Sequence, residues 1–356
     1  MLPFPPYPCY NEKSETGEKR MKTKIAAGLL ALLLVLSCLT ACGGDITDRA
    51  QSTSVIGRAV PSFTVAENGD FTVLQFTDTH LISGTTGKDE KTLTAIRMQI
   101  EAQKPDLVVI SGDMIEGSNV DPRFNKLAAL ETVGTLFEEL GQYWAYVPGN
   151  NDGEKNGSTE DVVAVLSAYN HCIVADEENL TGATQYAVDL LRADGTLAHS
   201  LIFMDSLARG ANNDYDYMKA DQVQWVSRTI AEKQSANPNV TVSLFFHMNT
   251  PNFALSGQNG TPYSEEIAPV PADFYAGIDG NAALDSALAD AGCVGLVSIG
   301  HIHPETNYVS FYNNTYNQVV RSSGYGVTDT PGCSLITIHT NAETTEEMYD
   351  FTEIAF

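Results

Sequence analysis

The strongest constraint on the fold is a set of short, mainly apolar runs, one of them wholly so, each of which stops abruptly at a polar turn. Leu107–Ile110 reads LVVI and ends at Ser111-Gly112-Asp113. A strand with one wet face alternates apolar and polar residues, so a run without alternation suits a strand covered on both faces. The pattern recurs along the chain. Phe71–Phe76 ends at Thr77-Asp78-Thr79-His80, and Tyr143–Val147 at Pro148-Gly149-Asn150-Asn151-Asp152. Val242–Phe246 ends at His247, and Val294–Ile299 at Gly300-His301-Ile302-His303. Tyr186–Leu190, Leu201–Met204, Gln318–Arg321, Ser334–His339 and Glu347–Thr352 carry further strand signals. Helical spacing falls between them, over Thr92–Gln103 (Leu93, Ile96, Ile100) and Asn125–Leu140 (Leu127, Leu130, Val133, Phe137), and again at Ala220–Glu232 and Ala282–Ala291. Strand and helix alternation predicts an α/β sheet with helices on its faces.

Ligands of open α/β sheets bind beyond the carboxyl ends of the strands. Five groups occupy that place: Asp78 with His80, Asp113, Asn150, His247, and His301 with His303. Four of the seven histidines belong to this set, while His171, His199 and His339 fall outside it. A single histidine at a strand end is usually a packed core residue; five groups with the same placement point to a common ligand. Carboxylate, imidazole and amide oxygen without thiolate suit Mn, Fe, Zn or Co rather than copper(I) or an iron–sulfur cluster. Two such ions about 3.5–4 Å apart can bridge a hydroxide and clamp a phosphate. Asp113, at the end of a strand buried on both faces, is the natural shared carboxylate. Gly112, Gly149 and Gly300 let the backbone turn tightly beneath the ions.

The 356-residue chain carries 20 basic against 45 acidic side chains, a formal net charge of -25. Such a balance argues against a broad nucleic-acid-binding surface, which depends on Lys and Arg displacing counterions. Ile25–Leu36 is a 12-residue apolar run behind Lys19, Arg20, Lys22 and Lys24. A basic flank and a run too short to span a bilayer describe a secretory signal. Leu39-Thr40-Ala41-Cys42 resembles the lipobox of bacterial lipoproteins. Residues 1–41 are therefore expected to be an N-terminal extension with a signal peptide, the working start being Met21. Residues 42–66 read as a polar tether and 67–356 as one folded domain, held outside the cytoplasmic membrane through lipidated Cys42. Cys172, Cys293 and Cys333 remain and read as buried structural thiols.

Asp78-Thr79-His80, Gly112-Asp113, Gly149-Asn150, His247 and Gly300-His301-Ile302-His303 together resemble the five-block signature of calcineurin-like metallophosphoesterases. All five occur in family order. Phe203-Met204-Asp205-Ser206, the stretch from Tyr215 to Trp225, and Ser323-Gly324-Tyr325-Gly326 are similar to the branch of small purple acid phosphatase-like proteins. The resemblance implies a four-layer α/β/β/α sandwich of two mixed sheets flanked by helices. It also implies a binuclear centre, with Asp78, His80, Asp113 and His303 on one ion and Asp113, Asn150, His247 and His301 on the other. A phosphoester would be hydrolysed by a metal-bridging hydroxide. Asn150, Asn151 and Asp152 form the block assigned to catalysis.

Two departures stand out. The family reads Gly-Asn-His-Asp or Gly-Asn-His-Glu where this chain has Gly149-Asn150-Asn151-Asp152. The absent histidine contacts phosphate and helps protonate the leaving alkoxide, and a carboxamide can donate a hydrogen bond but cannot deliver a proton. This keeps open a phosphodiesterase or nuclease rather than a monoesterase, and a catalytically weakened surface module that binds phosphorylated ligands or glycans. Secondly, Glu116 stands where purple acid phosphatases have an iron-binding tyrosine, so no tyrosinate colour is expected. Tyr215, Tyr217 and Trp225 are candidates for an aromatic wall beside the substrate.

Overall fold

The computed structural model describes residues 59–356 apart from 118–120, 155–156, 177–179, 211–213 and 276–278. The expected signal peptide, Cys42 and most of the expected tether lie outside the described residues. In chain order the strands are β1 (Phe63–Thr64), β2 (Asp70–Phe76), β3 (Leu107–Ser111), β4 (Trp144–Val147), β5 (Cys172–Ile173), β6 (Gln185–Leu191), β7 (Leu197–Met204), β8 (Thr241–Phe245), β9 (Thr261–Pro262), β10 (Val294–Ile299), β11 (Tyr308–Tyr312), β12 (Thr315–Val319), β13 (Gly332–His339) and β14 (Tyr349–Ala355). The helices are α1 (Gly87–Gln103), α2 (Lys126–Leu140), α3 (Thr159–Leu166), α4 (Ala220–Ala236), α5 (Pro251–Asn259), α6 (Ala282–Ala291) and α7 (Thr345–Met348).

Two mixed sheets result, ordered β1-β6-β7-β8-β10-β12-β11-β9 and β14-β13-β2-β3-β4-β5. Side-chain parity on the strands sorts the core into layers. Leu107 and Val109 of β3 join Phe203, Phe245 and Leu296 of the other sheet between the two sheets. Val108 and Ile110 point the opposite way, onto Ile96, Leu130 and Phe137 of α1 and α2. Beyond the larger sheet, Ile202 and Leu244 meet Trp225, Val226 and Leu284 of α4 and α6. This is the four-layer α/β/β/α sandwich, and it explains why Leu107–Ile110 reads as an unbroken apolar run.

β2, β3 and β4 are parallel neighbours in one sheet, as are β8 and β10 in the other. Their carboxyl ends therefore gather the five polar groups at one edge of the sandwich. Just beneath that edge a buried polar network ties the sheets together. Gln75 Nε2 donates to Ser111 Oγ at 2.8 Å, Ser298 Oγ donates to Gln75 Oε1 at 2.6 Å, and Gln318 Nε2 donates to Ser334 Oγ.

The structure corrects several expectations. Phe63 and Thr64, assigned to the tether, pair parallel with Leu190 and Leu191, so the folded domain starts before residue 67. Glu347 and Met348, expected in a strand, end the short helix α7. Thr344 caps it by accepting from the Glu347 amide, and two acidic residues sit in its first turn. Leu127 belongs to α2 but is 52% exposed, because Lys126 takes the buried position beside it. Trp225 is a core residue of α4 and lines no site. Cys172, Cys293 and Cys333 are free thiols in keeping with the sequence reading, although Cys293 is only partly buried.

Candidate metal centre

Each ligand candidate sits where a strand has just ended and the chain must reverse. Asp78, His80, Asp113, His301 and His303 have φ of 52°, 45°, 49°, 71° and 52°. Non-glycine residues avoid this left-handed region at a cost of order 1–3 kcal/mol each. Surrounding hydrogen bonds fix the strained turns. The amides of Asp78 and His80 donate to the carbonyls of Gly112 and Asp113, both at 3.0 Å, and Ser322 Oγ donates to the Asp78 carbonyl at 2.7 Å. Gly149 is required by space: a Cβ there would lie 2.2 Å from both the amide nitrogen and Oδ1 of Asp113.

The donor atoms converge. Asp78 Oδ2 accepts from the His301 amide at 3.0 Å, which leaves Oδ1 facing His303 Nε2 at 2.9 Å, His80 Nε2 at 3.8 Å and His247 Nε2 at 3.9 Å. Asp113 Oδ2 lies 3.5 Å from His80 Nε2 and 3.2 Å from His247 Nε2. Two groups of ligand atoms could each hold an ion: Asp78, His80, Asp113 and His303 in one, Asp113, His247 and His301 in the other. Asp113 is common to both.

The site also shows what it lacks. His247 Nε2 and Asn150 Oδ1 are buried with no hydrogen-bond partner. His247 Nδ1 lies 2.8 Å from the Ser111 carbonyl, which only accepts, so Nδ1 carries a proton and Nε2 is the nitrogen left for the centre. A buried polar atom without a partner costs free energy that a bound cation would relieve. Electrostatics agree. Burial pushes Asp78 up, yet His247, His303 and His80 outweigh it and hold the carboxyl well below its usual range. Asp113 is likewise held to about 2 against the pull of burial, chiefly by His247. Burial opposes charging of His247, but Asp113 and Asp78 raise it to about 9. The buried carboxylates demand positive charge, and the residues fit a pair of metal ions that would supply it.

Asn151 and Asp152, grouped by sequence with Asn150, take different places. Asn151 Nδ2 donates to Asp113 Oδ2 at 2.6 Å and so faces the centre. Asp152 accepts from the amides of Gly149 and Ile115 at 2.8 and 2.9 Å, one on each carboxylate oxygen, and so shapes the loop. Burial, then Asp113, push its carboxyl up to about 6. Glu116 Oε2 is 3.3 Å from His80 Nδ1, the outer nitrogen of a candidate ligand. Ser206, flagged only as part of a similar block, accepts from the amides of His247 and Met248 at 3.3 and 3.0 Å. Lys126 was not foreseen: its buried ammonium donates to the carbonyls of Asp152 and Glu154 at 2.7 and 2.8 Å, pinning the Asn150 loop from behind. A lysine in the first turn of an apolar helix was the available signal.

The sequence matches the model of the calcineurin-like phosphoesterase family over residues 71–305, which enclose every candidate ligand. It is 28% identical over 217 residues to an Arabidopsis thaliana protein named probable inactive purple acid phosphatase 28, covering 51% of this chain and 54% of that protein. A second Arabidopsis thaliana relative, probable inactive purple acid phosphatase 29, is 25% identical over 315 residues, 77% of this chain and 75% of its own length. The chain thus spans about half the length of the first and three quarters of the second. Among solved structures, a dimetal phosphatase from Danio rerio superposes with a TM-score of 0.52 at 14% identity, covering 80% of this chain and 99% of that one, a likeness of fold. With the fold, the shared Asp113 and the matched residues in agreement, the chain belongs to the calcineurin-like phosphoesterase family.

Proposed function

We propose that this protein hydrolyses phosphoesters with the help of two metal ions held by Asp78, His80, Asp113, Asn150, His247, His301 and His303. The observation that carries the reading is the double use of Asp113, with His247 Nε2 and Asn150 Oδ1 each buried and left without a hydrogen-bond partner. A pair of Mn, Fe, Zn or Co ions would supply Lewis acidity and a water of lowered pKa. The chain's own residues hold that chemistry in place. The Ser111 carbonyl fixes the His247 tautomer, and burial with His247 as neighbour keeps His301 down at about 4, neutral and able to donate its lone pair. Asn151 can steady an oxygen by hydrogen bonding and cannot pass it a proton. The substrates best served are those whose leaving group departs without protonation.

A second reading is a surface module that binds phosphorylated ligands without turnover. Asn151 in place of a proton donor favours it, as do relatives whose names include the word inactive. Export through the Ile25–Leu36 signal and anchoring through lipidated Cys42 belong to the same proposal and rest on those sequence segments. The test is a phosphoester panel on the chain from Val55, loaded in turn with Mn, Zn, Fe and Co. Metal-dependent turnover of any ester supports the enzyme. Two bound ions without turnover support the binding module, and fewer than about one ion per chain overturns both. Incorporation of labelled palmitate that vanishes in Cys42→Ala checks the anchor.

A further inference from the structure

The connection from β7 to α4 places a cation over the metal centre. Arg209 and Tyr215 pair as an antiparallel bridge, closed by the Gly210 amide donating to the Asp214 carbonyl and the Asp216 amide to the Ala208 carbonyl, both at 2.8 Å. Cross-strand partners share a face, so the guanidinium lies on the Tyr215 ring, with Cζ 4.5 Å from its centroid. Arg209 Nη2 also donates to the Tyr215 hydroxyl at 3.3 Å, and the same ring meets His301 edge-on at 5.0 Å between centroids. Arg209 Nε reaches Glu154 Oε1 at 3.4 Å. Glu154 in turn closes on Gly117 beside Asn151, since a Cβ on Gly117 would meet Asn151 Oδ1 at 2.5 Å and Glu154 Oε2 at 2.8 Å. Arg209 therefore bridges the mouth of the site, one ring away from His301 on one side and one carboxylate away from Asn151 on the other. Its side chain keeps 36% exposure, so an entering ligand can reach it.

Resting on the phosphoesterase reading, we infer that Arg209 is a specificity-determining residue that clamps the phosphoryl group of a phosphomonoester. A guanidinium presents a planar fork of donors that matches two phosphate oxygens. Stacking on Tyr215 holds the fork in one orientation, and Glu154 keeps it aligned until the ligand arrives. A monoester carries a third non-bridging oxygen and a second negative charge that a diester lacks. The clamp therefore discriminates in favour of the monoester. In a chain with 45 acidic against 20 basic side chains, a cation built into this mouth has a strong local effect on which anion can enter.

The test compares wild type, Arg209→Ala, Arg209→Lys and Tyr215→Leu, each loaded with manganese. Metal content is measured by mass spectrometry, and inorganic phosphate binding by calorimetry. Arg209→Ala should weaken phosphate binding by about tenfold to a hundredfold, as for loss of a charge-assisted contact, with metal content unchanged. Arg209→Lys should recover little, because an ammonium lacks the fork, and Tyr215→Leu should fall between. kcat/KM for 4-nitrophenyl phosphate should drop by the same factor, and for bis(4-nitrophenyl) phosphate by less than about threefold. Equal losses on both esters, or unchanged phosphate binding in Arg209→Ala, overturn the clamp. If wild type turns over neither ester, the hydrolase reading fails, and the calorimetric comparison still decides whether Arg209 holds phosphate.

Discussion

Asn151 grips both oxygens of Asp113: its amide donates to Oδ1 at 2.7 Å and its carboxamide to Oδ2 at 2.6 Å. The residue that replaces a proton donor has thus become a brace for the carboxylate common to both candidate metal groups. Hydrogen bonds to a carboxylate from a rigid loop fix its orientation, and Lys126 and Asp152 make that loop rigid.

Replacing Asn151 by His should separate the brace from the missing acid. General acid catalysis contributes typically about 10²–10⁴-fold, mostly for leaving groups that depart as poor alkoxides. Asn151→His should raise kcat/KM on glycerol phosphate by at least about tenfold and change 4-nitrophenyl phosphate by less than about threefold. Steady-state kinetics at matched metal content measure both. An equal gain on the two esters, or none on either, shows that position 151 has no acid role to restore.

Gly149→Ala tests how closely the backbone must approach Asp113. A methyl group there would sit 2.2 Å from the Asp113 amide nitrogen and Oδ1, and Oδ1 is held by the Asn151 amide. The shared carboxylate must turn away, so the variant should lose ions before it loses its fold. We expect metal affinity to fall by about 10–100-fold, the usual effect of disturbing ligand support. Metal titration followed by mass spectrometry reads this, with circular dichroism as the check on folding.

The strands and their polar ends were legible in the sequence because burial on both faces leaves no alternation to confuse the reading. Leu107–Ile110 could hardly be anything else. The site was legible because the placement recurs: one His after such a run can be a packed core residue, whereas five polar groups at strand ends point to a common ligand. What could not be read were interactions set by tertiary neighbours. β1 is a two-residue strand that exists because β6 offers an edge, and β11 is a short strand paired antiparallel with β12. Leu127 fits the helical stripe of α2, but the Asn150 loop needs a buried ammonium, so Lys126 takes the inward position and turns Leu127 out. Gln75 reads as an interruption in an apolar strand. Only the second sheet, with Ser298 and Gln318, shows why it is there.

Metal removal should cost stability as well as activity. Ions that bind the folded chain and not the unfolded one stabilise it by about 2.7 kcal/mol when free metal is a hundredfold above Kd. Chelation also leaves Asp78 and Asp113, both buried, to be balanced by protonated histidines alone. Scanning calorimetry should show Tm falling by several degrees on adding EDTA and recovering on adding manganese. No change in Tm would mean that the donor cluster holds no ion at working concentration.

His339 provides a pH-dependent term away from the metal centre. It ends β13 with Nδ1 2.7 Å from Asp70 of β2 and Nε2 3.0 Å from Asp350 of β14, so one imidazole joins three strands. Burial works against its charge, but Asp70 and Asp350 prevail and raise it above the ordinary histidine value. Tyr263 donates its hydroxyl to Asp350 and Asn68 its carboxamide to Asp70, which keeps both carboxylates in position. A raised folded-state value means that the imidazolium's stabilising contribution is complete below about pH 6.5, the unfolded value. It disappears as pH rises through the folded value. The urea midpoint of wild type should therefore exceed that of His339→Asn most at pH 5.5, and the gap should narrow steadily to pH 8.5. Measuring the difference between the two proteins removes the contribution of the metal centre, which is the same in both. A gap of constant size across that range would show that His339 contributes shape rather than charge.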